Sequence, residues 1–158
     1  MQPGWRIVRL ADHPAACDPL VRLMQTAWPD YYGEDGPGDA GADLLERSRI
    51  ADLPYGIAAF ASDGDVIGTA ALGKHSYGSR PDESPWLIGL LVAPEWRGRG
   101  VGSALVATLE TYAAAQRCRA VYCTTESGVR LLTRRGWRVI RDTEDGTNRI
   151  LTIGMSQS

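Results

Sequence analysis

Seven residues, Trp86-Leu-Ile-Gly-Leu-Leu-Val92, carry no charge and run through Ala-Pro-Glu-Trp into Arg97-Gly-Arg-Gly-Val-Gly-Ser103. A strand apolar on both faces belongs in the interior of a sheet, because only there is each face covered. The glycine-rich turn sends the chain from that strand directly into a second apolar pattern. Val101, Ala104, Leu105, Thr108, Leu109 and Tyr112 follow helical spacing over roughly four turns. A buried strand, a tight turn and an amphipathic helix in this order require a sheet with helices packed on it.

The flanking segments fit that requirement. Trp5 to Leu10 alternates as a first strand. Asp18-Pro19 reads as a helix start, with Asp18 at the N-cap and Pro19 at the first helical position. Leu20, Met24, Ala27 and Trp28 continue it, and Pro29 ends it. Pro29 to Gly41 reads as an acidic, glycine-rich loop, and Ala42 to Ile50 as a second short helix. Gly56–Ala61 and Val66–Leu72 flank Asp63-Gly64, a strong hairpin signal, because glycine takes positive φ without steric cost. Lys74 to Pro85 is polar and turn-rich. Ala120–Thr124 predicts a strand, and Glu126–Arg135 a short helix stopped by Gly136. Trp137–Ile140 and Arg149–Ile153 close the chain as a hairpin around Asp145-Gly146. Neither an internal repeat nor a linker interrupts the order, so a single domain over 1–158 is expected.

Composition narrows the function classes. A net charge of -2 over 158 residues provides no global basic field, so no nucleic-acid partner is expected. No apolar run approaches the ~20 residues of a membrane span, and no membrane partner is expected. The start, Met1-Gln-Pro-Gly-Trp-Arg6, lacks a basic-then-apolar leader. Cys17, Cys118 and Cys123 are odd in number and lack metal or redox spacing, which suits reduced thiols in a cytoplasmic protein. His13 and His75 stand apart, so no metal is expected. Lys74 is the only lysine among many arginines, alanines and glycines, the mark of GC-rich coding and a bacterial source.

The Arg97–Ser103 turn is where chemistry concentrates. A strand-to-helix turn leaves backbone N–H groups unpaired at the positive end of a helix, a site for phosphate. Gly98, Gly100 and Gly102 remove side chains from the approach, and Arg97 and Arg99 add charge. A nucleotide-hydrolase loop would need a Lys after its last glycine, and none is present. A dinucleotide fingerprint fails at its third glycine, where Ser103 or Leu105 stands.

Arg97-x-x-Gly100-x-Gly102, preceded by a strand ending in Val92-x-Pro94, resembles the coenzyme A signature of the GNAT acetyltransferases. The resemblance runs from the Trp5 strand to the C-terminal hairpin, and Leu131-Leu-Thr-Arg-Arg-Gly-Trp137 is similar to the family's closing helix-to-strand motif. Ser84-Pro-Trp-Leu87 with Thr124-Thr125 is similar to members that acetylate amines, protein N-termini among them. The resemblance implies an α/β, GNAT-like mixed sheet, mostly antiparallel, flanked by helices and splayed between its fourth and fifth strands. It implies acetyl-CoA as cosubstrate, an amine acceptor (a small molecule or a peptide) attacking it directly, and a chain that can form a homodimer.

On this reading Leu90, Leu91 and Val92 offer backbone to the pantetheine arm, with the Val92 N–H as oxyanion donor, and Gly89 marks a strand bulge. Arg97, Gly98, Arg99, Gly100, Val101, Gly102 and Ser103 hold the diphosphate. The family's general acid is a tyrosine four residues before the Gly-aromatic step, where this chain has Leu132. Tyr122 and Cys123 are the nearby alternatives, of which strand alternation turns one to the cleft. No carboxylate lies on the central strand, so Asp82 and Glu83 are candidate bases, with His75 and Tyr77 behind them. The segment Pro29–Glu46 is acidic and free of Lys and Arg. Trp28, Tyr31, Tyr32, Glu34 and Asp35 are the candidate acceptor residues, through charge and cation–π contact with an amine. An acyl-CoA-binding module without turnover is the competing reading, kept open by Leu132.

Overall fold

The computed structural model describes residues 4–155. Seven strands form one sheet: β1 (Trp5–Arg9), β2 (Tyr55–Ala61), β3 (Val66–Gly73), β4 (Trp86–Val92), β5 (Ala120–Thr125), β6 (Arg138–Asp142) and β7 (Arg149–Gly154). Among the described residues five α-helices accompany them: α1 (Cys17–Ala27), α2 (Pro29–Tyr32), α3 (Ala40–Arg47), α4 (Val101–Ala115) and α5 (Val129–Arg134). The sheet order is β1-β2-β3-β4-β5-β7-β6. Every neighbouring pair is antiparallel except β4 and β5, which run parallel. This is the mixed, mostly antiparallel arrangement expected, and the splay falls between the fourth and fifth strands. Among the described residues no helix is long and apolar enough to cross a membrane.

Two cores sit on opposite faces of the sheet. On one, Val101, Leu105, Val106 and Leu109 of α4 and Leu132 of α5 pack on Ile57, Leu72, Leu87 and Val121. On the other, Leu20 and Met24 of α1 and Leu44 of α3 pack on Ala58 and Leu91. Burying each Leu or Met side chain contributes about 1.5–3 kcal/mol, so the helices are fastened by their apolar stripes. Small residues on β2 and β3, among them Ala58, Ala59, Ala70 and Ala71, let both layers approach closely.

Several boundaries differ from those read in the sequence. α1 begins at Cys17 after a short turn over Pro14–Ala16, so Asp18 lies in its first turn and no side chain caps it. The acidic stretch is not all loop: Pro29–Tyr32 makes one helical turn, started by proline. α3 begins at Ala40 because Asp39 caps it, accepting from the Ala42 N–H at 3.0 Å. It ends at Arg47, leaving Ile50 on the surface. α5 starts at Val129 rather than Glu126, since Thr125 Oγ1 first accepts from the Gly128 N–H at 2.8 Å. Gly64 and Gly146 take positive φ in their hairpins, as read.

The polar segment before β4 is clamped to the far edge of the sheet. Glu83 accepts from Arg141 Nη1 at 2.7 Å and Nη2 at 2.5 Å, and from the Arg80 N–H at 2.9 Å. Arg141 also reaches the Gly78 carbonyl at 2.9 Å. The Arg141 hydrogen bonds hold the Glu83 carboxyl below the usual carboxylate range, against the opposing effect of burial. A depressed carboxylate contributes stability that is complete above its unfolded value, about 4.3, and is lost as pH falls through the folded value. Glu83→Gln should therefore cost about 2 kcal/mol at pH 7, and the gap to the parent should close below about pH 4. Urea unfolding at several pH values measures it; a gap that persists into acid would show that shape, not charge, holds this segment.

Candidate functional site

β4 and β5 pair at Trp86↔Tyr122 and Leu87↔Cys123 and at no later residue. The cause is on β4. Thr69 and Ala71 of β3 stand opposite Leu91 and Ile88, so β4 carries one extra residue there. Gly89 takes φ +62 at this bulge, a backbone that side chains with a Cβ rarely adopt. Beyond the bulge β4 turns away from β5. The Ala93 N–H donates to Ile67 at 2.7 Å, on the β3 side. Alternation gives Leu91 to the same ladder and turns the backbone of Leu90 and Val92 toward the splay. Leu90 and Val92 thus leave backbone groups unpaired at the splay; Leu91 packs its side chain in the α1–α3 core.

The splay opens a cleft of about 500 Å³ that passes through the sheet. Trp28, Tyr31, Tyr32, Asp43 and Arg47 line one mouth, and Ser127, Gly128 and Leu132 the other. At that second mouth lies a further hollow of about 650 Å³, formed by Val92, Gly98, Gly100, Gly102, Ser103 and arginines of α5. Gly100 is the N-cap of α4 at φ +92, and the first intrahelical bond is Ala104 N–H to Gly100 O at 3.0 Å. The N–H groups of Val101, Gly102 and Ser103 have no intrahelical acceptor, and no side chain caps them. Val101 buries its side chain in the core and offers only backbone.

The two arginines of the turn are braced. Arg97 Nε donates to the Val92 carbonyl at 3.2 Å, and the Arg99 guanidinium lies 4.8 Å over the Trp96 ring. Trp96 in turn meets Trp5 edge-on at 6.5 Å. Ser103 Oγ accepts from Arg135 Nη1 at 3.1 Å, while Arg135 forks onto Glu110 at 2.8 and 3.0 Å. Arg130 and Arg134 line the same hollow and add charge that the motif alone did not include.

Of the residues read as acceptor candidates, the structure brings the aromatic ones to the cleft and leaves the two acids outside it. Trp28, Tyr31 and Tyr32 line the cleft, whereas Glu34 and Asp35 are exposed outside it. Two carboxylates line the cleft, Asp43 and Glu126, and Asp43 accepts from Tyr32 Oη at 2.6 Å. Burial and that bond push the Tyr32 phenol up to about 12. Arg47, one turn further along α3, shares the same wall. Both follow from helical spacing, but Arg47 stands one residue past the acidic segment that drew attention.

The proton-transfer candidates separate cleanly. Glu83 has both oxygens engaged by arginine and backbone, away from the cleft, so a role as base is displaced by its role as clamp. Asp82 is exposed and outside the cleft lining. Tyr122 shares the face of Trp86, its ring 5.3 Å away, and does not line the cleft. Cys123 faces the cleft beside Leu132. Burial pushes its thiol up to about 12. His75 lines a neighbouring hollow with Lys74, and Tyr77 is tied to Asp145 at 2.9 Å. Among the described residues no cluster of His, Cys, Asp or Glu is arranged to hold a metal.

Comparison with known proteins agrees with this geometry. A model of the acetyltransferase (GNAT) family matches residues 20–137. The aminoglycoside N(6')-acetyltransferase type 1 of Stenotrophomonas maltophilia is 33% identical over 120 residues, 73% of this chain and 63% of that protein. The match therefore spans less than two thirds of that relative's length. Aminoglycoside 6'-acetyltransferase type Ii superposes with a TM-score of 0.77 at 17% identity, covering 97% of this chain and 99% of that one. An aminoglycoside 6'-N-acetyltransferase complexed with coenzyme A gives 0.75 at 15% identity, over 97% and 98%.

The cleft's only thiol among the described residues is then a marker of its closure. At pH 8 a thiol with a pKa of about 12 is ionised to about one part in ten thousand, and the thiolate is the reactive form. Iodoacetamide should leave Cys123 unmodified in the native protein and label it in urea, as read by peptide mass spectrometry. Rapid native labelling would mean that the cleft floor opens to solvent.

Proposed function

The chain belongs to the GNAT acetyltransferase family, and from that premise we propose that it is an N-acetyltransferase moving acetyl from acetyl-CoA to a primary amine. The observation that carries this reading is the withdrawal of β5 from β4 after two residue pairs, beside an uncapped helix start. An extended arm with amide groups can take the place of the missing strand, and a diphosphate can accept from Val101, Gly102 and Ser103. Bound there, acetyl-CoA would supply an acetyl thioester in the middle of the cleft. The residues present fit it: glycines where the phosphates approach, Arg97, Arg130 and Arg134 for charge, and the Val92 N–H facing the splay for a carbonyl oxygen.

The other mouth suits an amine. Asp43 offers a carboxylate to an arriving ammonium, and Trp28, Tyr31 and Tyr32 offer aromatic faces. The attacking nitrogen must be neutral, so its proton leaves to Asp43 or through it to water. Neither Leu132 nor Cys123 is an efficient proton donor for the leaving sulfur. Leu132 has no proton to give, and Cys123, with a pKa of about 12, holds its own. A thiolate leaves without protonation more readily than an alkoxide, so turnover does not require the missing tyrosine. The buried Leu132 also favours a second reading, an acyl-CoA-binding module without turnover.

Thiol release from acetyl-CoA across an amine panel, with mass spectrometry of the product, decides between the two. Acetylated amine supports transfer; saturable acetyl-CoA binding with no release for any amine supports the module. Gly100→Val and Gly102→Val should each weaken acetyl-CoA at least tenfold, about 1.4 kcal/mol, by calorimetry on variants whose thermal unfolding shows a folded chain. Unchanged affinity in both would place the cofactor elsewhere.

A further inference from the structure

Arg47 is buried to 8% exposure, and its Nη1 has no hydrogen-bond partner. None of the three ion pairs among the described residues includes it. A guanidinium is always charged, and burying a charge without a partner is strongly unfavourable. Position at the C-terminal turn of α3 does not account for this. A cation there gains from the helix dipole at the surface, and nothing in that interaction turns it inward.

The sheet makes room for this side chain at two places. A Cβ on Gly56 would stand 2.8 Å from the Arg47 carbonyl and 2.9 Å from its Cβ. A Cβ on Gly89 would stand 2.5 Å from Nη1 and 3.3 Å from Cζ. The bulge that opens the splay is thus also the seat of the guanidinium. Arg47 lines the through-sheet cleft, one helical turn from the Asp43 carboxylate, with Nη1 buried against Gly89. A cleft wall bearing a carboxylate and an unpaired guanidinium is complementary to a molecule bearing both an ammonium and an anion.

We infer that Arg47 binds a carboxylate of the acceptor, so that the amine acetylated here belongs to an amino acid rather than to a simple amine or a polycation. The inference rests on the acetyl-transfer reading and names its substrate class. Asp43 meets the ammonium and Arg47 the carboxylate, in the planar two-point geometry that guanidinium and carboxylate share. A polyamine without an acidic group leaves the Arg47 guanidinium without an ion-pair partner.

Matched pairs differing only by the carboxylate test this: phenylalanine with 2-phenylethylamine, and lysine with 1,5-diaminopentane. The ratio of kcat/KM, acid over decarboxylated amine, should fall at least tenfold in Arg47→Met. Comparing the ratio between variants cancels the differing basicity of the amines. Arg47→Lys, which keeps charge without the fork, should fall between. Acetyl-CoA affinity should move less than twofold, which damage to the fold would not allow. Binding gives a readout independent of turnover: N-acetylphenylalanine should bind the CoA-loaded parent at least tenfold tighter than N-acetyl-2-phenylethylamine. Equal binding of that pair, or a ratio unaltered by Arg47→Met, overturns the inference while leaving acetyl transfer intact. No turnover of any amine overturns acetyl transfer, and the binding pair still decides Arg47.

Discussion

The pairing of β4 with β5 is the constraint from which the site follows. Two residue pairs, Trp86↔Tyr122 and Leu87↔Cys123, are enough to set the two strands in one sheet. The extra residue at Gly89 then ends the pairing, because a bulge bends its strand and leaves backbone groups unmatched. In the middle of a seven-stranded sheet such groups are costly unless something accepts from them. The flanking layers hold the gap open rather than letting it close: α4 and α5 pack on one face, α1 and α3 on the other. The cleft is therefore a product of sheet geometry, and the helices fix its two mouths.

Two buried charged side chains show opposite solutions to one problem. Glu83 is fully answered, by Arg141 and the Arg80 backbone, and its work is to pin the segment that leads into β4. Arg47 is not answered, and glycines on two strands accommodate it. A satisfied buried charge is a fastening; an unsatisfied one beside a cavity is a demand on a ligand. The same distinction separates Asp43, half used by Tyr32 and facing the cleft, from Glu34 and Asp35, which face water.

The order of elements, the two hairpins, the central apolar strand and the glycine-rich turn into α4 were legible because each rests on a local signal: period, glycine position or an uncapped helix start. The stretch from Pro29 to Arg47 was less so. Counting its acids identified a polar region, but the choice of Asp43 over Glu34 and Asp35 depends on α3 starting at the Asp39 cap, which fixes which turn faces the cleft. Arg47 lay one residue past the acidic window. The choice between Tyr122 and Cys123 was open in the strand alternation and closed by the partner strand: Tyr122 follows Trp86 to one face, and Cys123 turns to the cleft. Glu83 looked available because its partner, Arg141, is 58 residues away in the chain.

In most sheets hydrogen exchange is slowest along the central strands and fastest at the edges, since local opening begins where bonds to neighbours are fewest. Here the middle of the sheet contains a seam of its own. The amides of Leu90 and Val92, turned toward a strand that has already departed, belong to the class that exchanges readily, although β3 on the other side pairs again beyond the bulge. The ladder of strands is thus in two parts, β1–β4 and β5–β7, joined at one end by two residue pairs and covered by one core. Whatever fills the seam would complete the ladder, and the slowing of those amides would record its arrival.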